Sequence, residues 1–264
     1  MNLINPQAIY TLWLREMLRF LRMKSRVIGA LGMPFFFLAF LSVGFRNTSF
    51  STTSIDYTSF LTPGIIGMTL LFSSTFTGIS VLWDKEFGFL KEIMVTPVSR
   101  ISILLGRIAG GATTAIMEAL IILFAAVVIG FNLRGIYGDS SVEGMVSGVI
   151  LAFIFMVLIA TTFISLGVSF ASLMEDMEGY SLVMNFVIFP LFFLSGALFP
   201  IDNLPSSVRF LAFLDPLTYG VDGLRGCLIG ESELSIFIDL LALIVSSLIM
   251  LAFGSYLFKH TEVD

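Results

Sequence analysis

The chain has 264 residues, of which 57% are hydrophobic and 12% charged, with a mean hydropathy of +0.99 and a formal net charge of −5. A soluble domain carries about a quarter charged residues, so this chain cannot cover a water-facing surface; an ordinary cytosolic enzyme, a disordered chain and a disulfide scaffold are excluded. At roughly 20 apolar residues per crossing, the length suits about six membrane helices and no separate soluble domain, so residues 1–264 read as one all-α integral membrane domain.

Residues from Pro6 to Arg26 have the pattern of an amphipathic helix, and Asn5 before Pro6 fits its start. Leucines and Trp13 recur at helical spacing, and Arg15, Arg19 and Arg22 form a basic face. The pattern suits a helix lying in the headgroup layer with Tyr10 and Trp13 as anchors, or a basic segment that only sets topology. The apolar run Val27 to Phe45 is the first span, with Pro34 as its kink. Arg46 to Phe60, rich in Ser and Thr, reads as a loop, and Leu61 to Trp83 as the second span. Residues 84–100 are too charged to cross. Within them Glu86, Phe87, Leu90, Lys91, Ile93 and Met94 have the spacing of a short amphipathic helix, ended by Thr96-Pro97 because the residue before proline disfavours the helical region. Composition alone fits equally a helix facing a soluble partner and a loop lying on headgroups.

Ile101 to Phe131, Met145 to Met174, Tyr180 to Phe199 and Leu234 to Phe258 hold the third to sixth spans. Residues 200–233 contain only a short apolar piece interrupted by Arg209, Asp215, Pro216, Asp222 and Arg225. Such residues are costly at mid-membrane, so the segment reads as two half-helices dipping into the outer leaflet and packed against the bundle. With the N-terminus inside, ten of the 14 Lys and Arg residues fall on the cytoplasmic side. That places both termini in the cytoplasm.

The sequence has no phosphate-binding G-x-x-x-x-G-K-[ST] loop. One histidine and one cysteine cannot build a metal site or a nucleophilic triad, so the chain reads as a non-enzyme. Gly106/Gly110 and Gly144/Gly148 have the spacing of close helix packing. Glu118 is the one acid well inside a span, which suits a structural or cavity-lining role over a proton-coupled site.

The run Gly88-Phe89-Leu90-Lys91-Glu92-Ile93-Met94-Val95-Thr96-Pro97-Val98-Ser99-Arg100, led by Glu86, resembles the E-x-x-x-G-[TF]-L-E-x-L-x-x-[TS]-P-[VI]-x-x element of ABC-2 type transporter permeases, with Lys91 where that family often has Glu. Leu194-Ser195-Gly196-Ala197-Leu198-Phe199-Pro200, Leu204-Pro205, Asp215-Pro216-Leu217-Thr218-Tyr219 and Arg225 resemble its C-terminal signature, with Asp215 replacing the usual Asn. The likeness covers essentially the whole chain. It implies a transmembrane subunit of an ATP-driven exporter. Residues 1–26 would form an interface helix carrying Trp13, Arg15, Arg19 and Arg22. A coupling helix seated in a separate ATP-binding cassette subunit would use Glu86, Phe87, Leu90, Lys91, Glu92, Thr96, Pro97 and Arg100. Re-entrant half-helices would be built around Pro200, Pro205, Asp215, Pro216, Tyr219 and Arg225. A path between two copies would be lined by Phe36, Phe40, Phe72, Phe189, Phe192 and Phe193, with Glu118 a further lining candidate.

On this resemblance the chain holds no cofactor of its own, ATP and Mg belonging to the partner subunit. The expected partners are that subunit, a second permease copy (a homodimer) and the lipid bilayer of the cell membrane, with no nucleic acid. The expected cargo is an amphipathic drug, lipid or glycan precursor. The competing expectations are an ATP-independent secondary transporter or channel, and a non-transporting membrane assembly protein.

Overall fold

The computed structural model describes residues 4–45, 56–139 and 141–260, and among them the chain forms helices and no strand. In chain order these are α1 (Pro6–Arg22), α2 (Lys24–Gly44), α3 (Tyr57–Glu86), α4 (Phe89–Val95), α5 (Arg100–Ile129), α6 (Val142–Leu173), α7 (Met177–Leu194), α8 (Ser206–Leu214), α9 (Pro216–Leu228) and α10 (Ile236–His260). Six of them, α2, α3, α5, α6, α7 and α10, are long and apolar enough to cross a membrane.

Several boundaries differ from the sequence reading, each for a local reason. The first helix stops at Arg22, because Met23 leaves helical geometry and α2 begins at Lys24. The second crossing is longer at both ends than Leu61 to Trp83, running Tyr57–Glu86. At its start, hydroxyl groups that look loop-forming are absorbed by the helix, as when Thr62 donates to the Thr58 carbonyl at 2.8 Å. At its end, Asp84 is neutralised by arginines described below. The rest of the Ser/Thr-rich segment, 46–55, lies outside the described residues. The fifth crossing ends at Leu194, since Gly196 takes φ +74° and turns the chain. Pro34 sits inside α2, which runs on through it.

α3 is the axis of the bundle, in contact with α2, α5, α6, α7 and α9. Its glycines make this possible. Gly64 faces the backbone of Ala197, Gly67 faces Val221, and Gly78 faces Tyr180 Oη and the Gly167 carbonyl, leaving no space for a side chain. Without water to drive association, close van der Waals approach between small residues is what holds membrane helices together. α2, α7 and α10 lie outside, with only a minority of each crossing buried.

Of the two helices between α7 and α10, α8 is exposed along Phe210, Leu211 and Leu214, whereas α9 is buried against α6, α10 and α3. Gly220, Gly223 and Gly226 place one face of α9 against Ile159, Phe155 and Ile236. At about 1.5 Å per residue neither helix spans a bilayer core of about 30 Å.

Candidate functional site

The ends of α1, α3 and α5 meet around one carboxylate. Asp84, 3% exposed, accepts from Arg15 Nη2 at 2.6 Å and Arg19 Nη2 at 3.1 Å on Oδ1. On Oδ2 it accepts from Arg15 Nη1 at 2.8 Å and Arg107 Nη2 at 2.6 Å. Arg15 is thus bidentate, the strong form of this pair. Glu16, also buried, lies 3.7 Å from Arg19 Nη1 and 3.5 Å from the Ser80 hydroxyl. Three guanidiniums against two carboxylates leave one positive charge in excess.

α1 is brought there by small residues on α5. A Cβ at Gly106 would meet Leu12 Cβ at 2.8 Å, and one at Gly110 would meet Glu16 Cβ at 2.7 Å. Asn5 N donates to Ser102 Oγ at 2.8 Å and Trp13 Nε1 to Thr113 Oγ1 at 3.0 Å. The Gly106/Gly110 spacing therefore serves helix packing, as its sequence suggests, and Trp13 points at α5 with its indole N–H. The α6–α7 corner docks on the same end of α3: Lys85 Nζ donates to the Met174 carbonyl at 3.2 Å, and Trp83 Nε1 lies 2.6 Å from Met177 Sδ.

α4 hangs from this cluster. Gly88, in the left-handed region at φ +74°, makes the turn out of α3. Glu86 and Phe87 fall before that turn, so the helix is shorter than the sequence spacing suggests. It ends at Val95 with Thr96 extended before Pro97, as expected. Leu90 is fully buried, while Glu86, Phe87, Lys91, Glu92, Thr96, Pro97 and Arg100 are all exposed. The Phe89 ring lies 4.0 Å beneath the Arg15 guanidinium, a cation–π contact tying α4 to α1. Arg100 donates to the Lys259 carbonyl, fastening the end of α10 beside it.

The candidate path residues divide. Phe72 and Phe189 meet edge to face at 5.5 Å, and Phe72 reaches Phe192 at 6.3 Å. Phe37, which the sequence did not single out, joins them through Phe192 at 6.2 Å. Phe192 is 1% exposed and serves packing within one chain; Phe36, Phe40 and Phe193 are exposed. Glu118 is buried on α5.

At the opposite end of the bundle, Pro200 precedes a 3-10 turn, Ile201–Asn203, and Pro205 opens α8. Asp215 caps α9 by accepting from Leu217 N at 2.8 Å, with Pro216 as first helical residue. Burial pushes the Asp215 carboxyl up to about 8, against the lowering effect of that hydrogen bond. Tyr219 Oη donates to the Phe213 carbonyl at 2.7 Å. Arg225 donates to the Gly196 carbonyl at 3.0 Å and stacks on Phe60 at 4.0 Å. Asp222 accepts from the backbone of Glu233 and Leu234 at 2.9 and 2.8 Å, closing the α9–α10 corner.

The sequence reading placed Asp84 in the charged stretch beyond the second span and missed its partnership with Arg107. The signal was available: an arginine inside an apolar span demands a buried acid, and Asp84 ends the neighbouring crossing.

Six helices long and apolar enough to cross a membrane, an exposed and a buried short helix at one end and a charged, exposed helix fastened at the other describe a multi-pass membrane protein. The chain belongs to the ABC-2 type transporter family, whose model matches residues 7–229. Among its relatives are ycf38 of Cyanophora paradoxa, named as a transport permease, 26% identical over 83% of this chain and 73% of that one. DrrC of Mycobacterium tuberculosis (strain CDC 1551 / Oshkosh), named as a doxorubicin resistance ABC transporter permease protein, is 25% identical over 91% of this chain and 81% of its own. Nodulation protein J of Rhizobium leguminosarum bv. viciae is 25% identical over 78% and 76%. The chain is accordingly a membrane subunit of an ABC transporter, whose family implies a separate ATP-binding cassette partner.

Proposed function

We propose that this permease exports an amphipathic compound, a drug, lipid or glycan precursor, from the cytoplasmic side of the cell membrane, with both termini cytoplasmic. Two copies form the path, and each receives motion from an ATP-binding subunit, which holds the ATP and Mg, through α4. The observation that carries this reading is the attachment of α4. The exposed surface here, Glu86 and Phe87 at the end of α3 with Lys91 and Glu92 on α4, is free to be gripped, while Phe89 ties α4 to Arg15 of the Asp84 cluster and Leu90 is buried. A push on α4 is thereby delivered to α1, α3 and α5 together. ATP binds the two states of its own subunit with different affinity, and that difference shifts the permease between conformations.

The test is reconstitution with the ATP-binding subunit and doxorubicin, the drug in one relative's name, as first probe. Glu86→Lys with Pro97→Ala is expected to leave the ATPase able to hydrolyse ATP while abolishing ATP-dependent efflux. Efflux by the purified chain alone, without ATP, would replace this reading with that of a secondary transporter or channel.

A further inference from the structure

One face of α1, shared at Arg15 and Arg19 with the Asp84 cluster, has chemistry of its own. Leu14, Arg15, Leu18, Arg19 and Arg22, with Met23 at the elbow into α2, line an open cavity of about 570 Å³. They recur every three or four residues, so guanidiniums and leucines share one face. Leu14 and Leu18 are 37% and 43% exposed. Arg22 is exposed, and among the described residues no carboxylate pairs with it. Arg19 turns its inner nitrogens to Asp84 and Glu16 and leaves 20% of its side chain exposed along the cavity. A second cavity of about 280 Å³, lined by Met23, Ser25, Phe76, Ile79 and Trp83, adjoins the first at Met23 and is almost wholly apolar.

We propose that this pair of cavities is a binding site for an anionic phospholipid. Its phosphate is held by Arg22 beside the exposed part of Arg19, its glycerol region lies over Leu14 and Leu18, and an acyl chain passes Met23 toward Phe76 and Trp83. The charge argues for the occupant. The cluster beside the cavity already has one positive charge in excess, and Arg22 adds another. A soluble anion would gain nothing from the leucines or from the apolar second cavity, and a zwitterionic lipid would bring a second cation, with its phosphate, to a site that is already positive. The site does not involve the α4 surface, so it stands or falls independently of the export reading.

The chain supplies its own reporters: its two tryptophans are Trp13 on α1 and Trp83 in the second cavity. The assembled transporter, in phosphatidylcholine nanodiscs, is titrated with phosphatidylglycerol or phosphatidylcholine carrying bromine on the acyl chains, and tryptophan quenching is read. Phosphatidylglycerol is expected to bind about fivefold or more tighter, the effect of roughly one well-placed basic residue at a membrane surface. Arg22→Gln should erase the preference and Arg22→Lys should retain part of it. Lys24→Gln, equally exposed but outside the cavity, should leave it within about twofold. Glycerol 3-phosphate should not relieve the quenching. Equal quenching by the two lipids, or none by either because another chain covers the cavity, would overturn the proposal. So would equal losses in Arg22→Gln and Lys24→Gln, which mean general surface attraction, or relief by glycerol 3-phosphate, which means a free-anion site.

Discussion

Each oxygen of Asp84 accepts two hydrogen bonds, and the three arginines that supply them come from α1 and α5. Arg107 is 1% exposed, and its Nε and Nη1 find no partner among the described residues, so Asp84 carries nearly the whole task of neutralising it. Removing one member of a buried pair strands the other, at a cost of roughly 3–5 kcal/mol. Asp84→Ala is expected to lower stability by about that amount, read as a shift in thermal unfolding. Asp84→Ala with Arg107→Leu should cost less than the two single changes added, because the fully buried Arg107 is no longer left stranded. Strict additivity would mean that the two do not share a site. Asp215 makes the opposite case, an acid that the fold prefers neutral. Its folded-state value of about 8 lies above the ordinary carboxylic value of about 3.9. The folded state therefore holds a proton that the unfolded state releases, and the contribution is whole below about pH 4 and lost as pH rises through about 8. Asp215→Asn keeps the side-chain oxygen that caps α9 and removes the titration. The unfolding temperature of the natural chain should fall more steeply than the variant's between about pH 5 and about pH 8; parallel curves would refute the buried neutral acid.

α4 is the smallest helix and the one whose direction is set by a single backbone angle. At Gly88, φ +74° costs a non-glycine residue roughly 1–2 kcal/mol, and no neighbouring atom lies within 4 Å of an added Cβ. Gly88→Ala is therefore a change of backbone preference without a clash. It should leave helix content and assembly intact while lowering substrate-stimulated ATP hydrolysis severalfold; unchanged coupling would show that the aim of α4 is set elsewhere. Gly110→Ala acts through sterics instead, driving a methyl into Glu16 and separating α1 from α5, and should destabilise by about 1–3 kcal/mol. Much of this was legible beforehand. The six crossings follow from apolar runs, the stop at Thr96-Pro97 from proline geometry, the shortness of α8 and α9 from their interrupting charges, and the close packing of one face of α5 from the glycine spacing, though not its partner α1. The Asp84 cluster was hidden because its parts stand at positions 15, 19, 84 and 107. An isolated acid at the end of an apolar run looks like the start of a loop until three arginines from other helices are known to surround it. The start of α3 was hidden by Ser and Thr, whose hydroxyls mark loops in water yet bond to their own helix when buried.

Across the whole chain, burial is uneven in a way that bears on assembly. α3 is enclosed, whereas α2 and α7 are buried over only a minority of their crossings and meet each other through Phe37 and Phe192. Their outward sides carry Phe36, Phe40, Phe186 and Phe193, exposed by 53–83%. Bilayer lipid covers such rings without penalty, so exposure alone does not distinguish a lipid face from a face between copies; proximity does. Cys227 is fully buried, and desolvation pushes its thiol up to about 12, so it stays unreactive near neutral pH. Phe36→Cys or Phe40→Cys therefore introduces the one reactive thiol in the chain. If α2 lines a path between two copies, at least one of these variants should form a covalent dimer with a short bis-maleimide. ATP trapping in the partner subunit should change the yield as the path opens and closes. Phe237→Cys, on the exposed outer side of α10, is the matching control and should remain monomeric. Cross-linking at Phe237 with none on α2 would put the second copy against α10 and remove Phe36, Phe40 and Phe193 from the path.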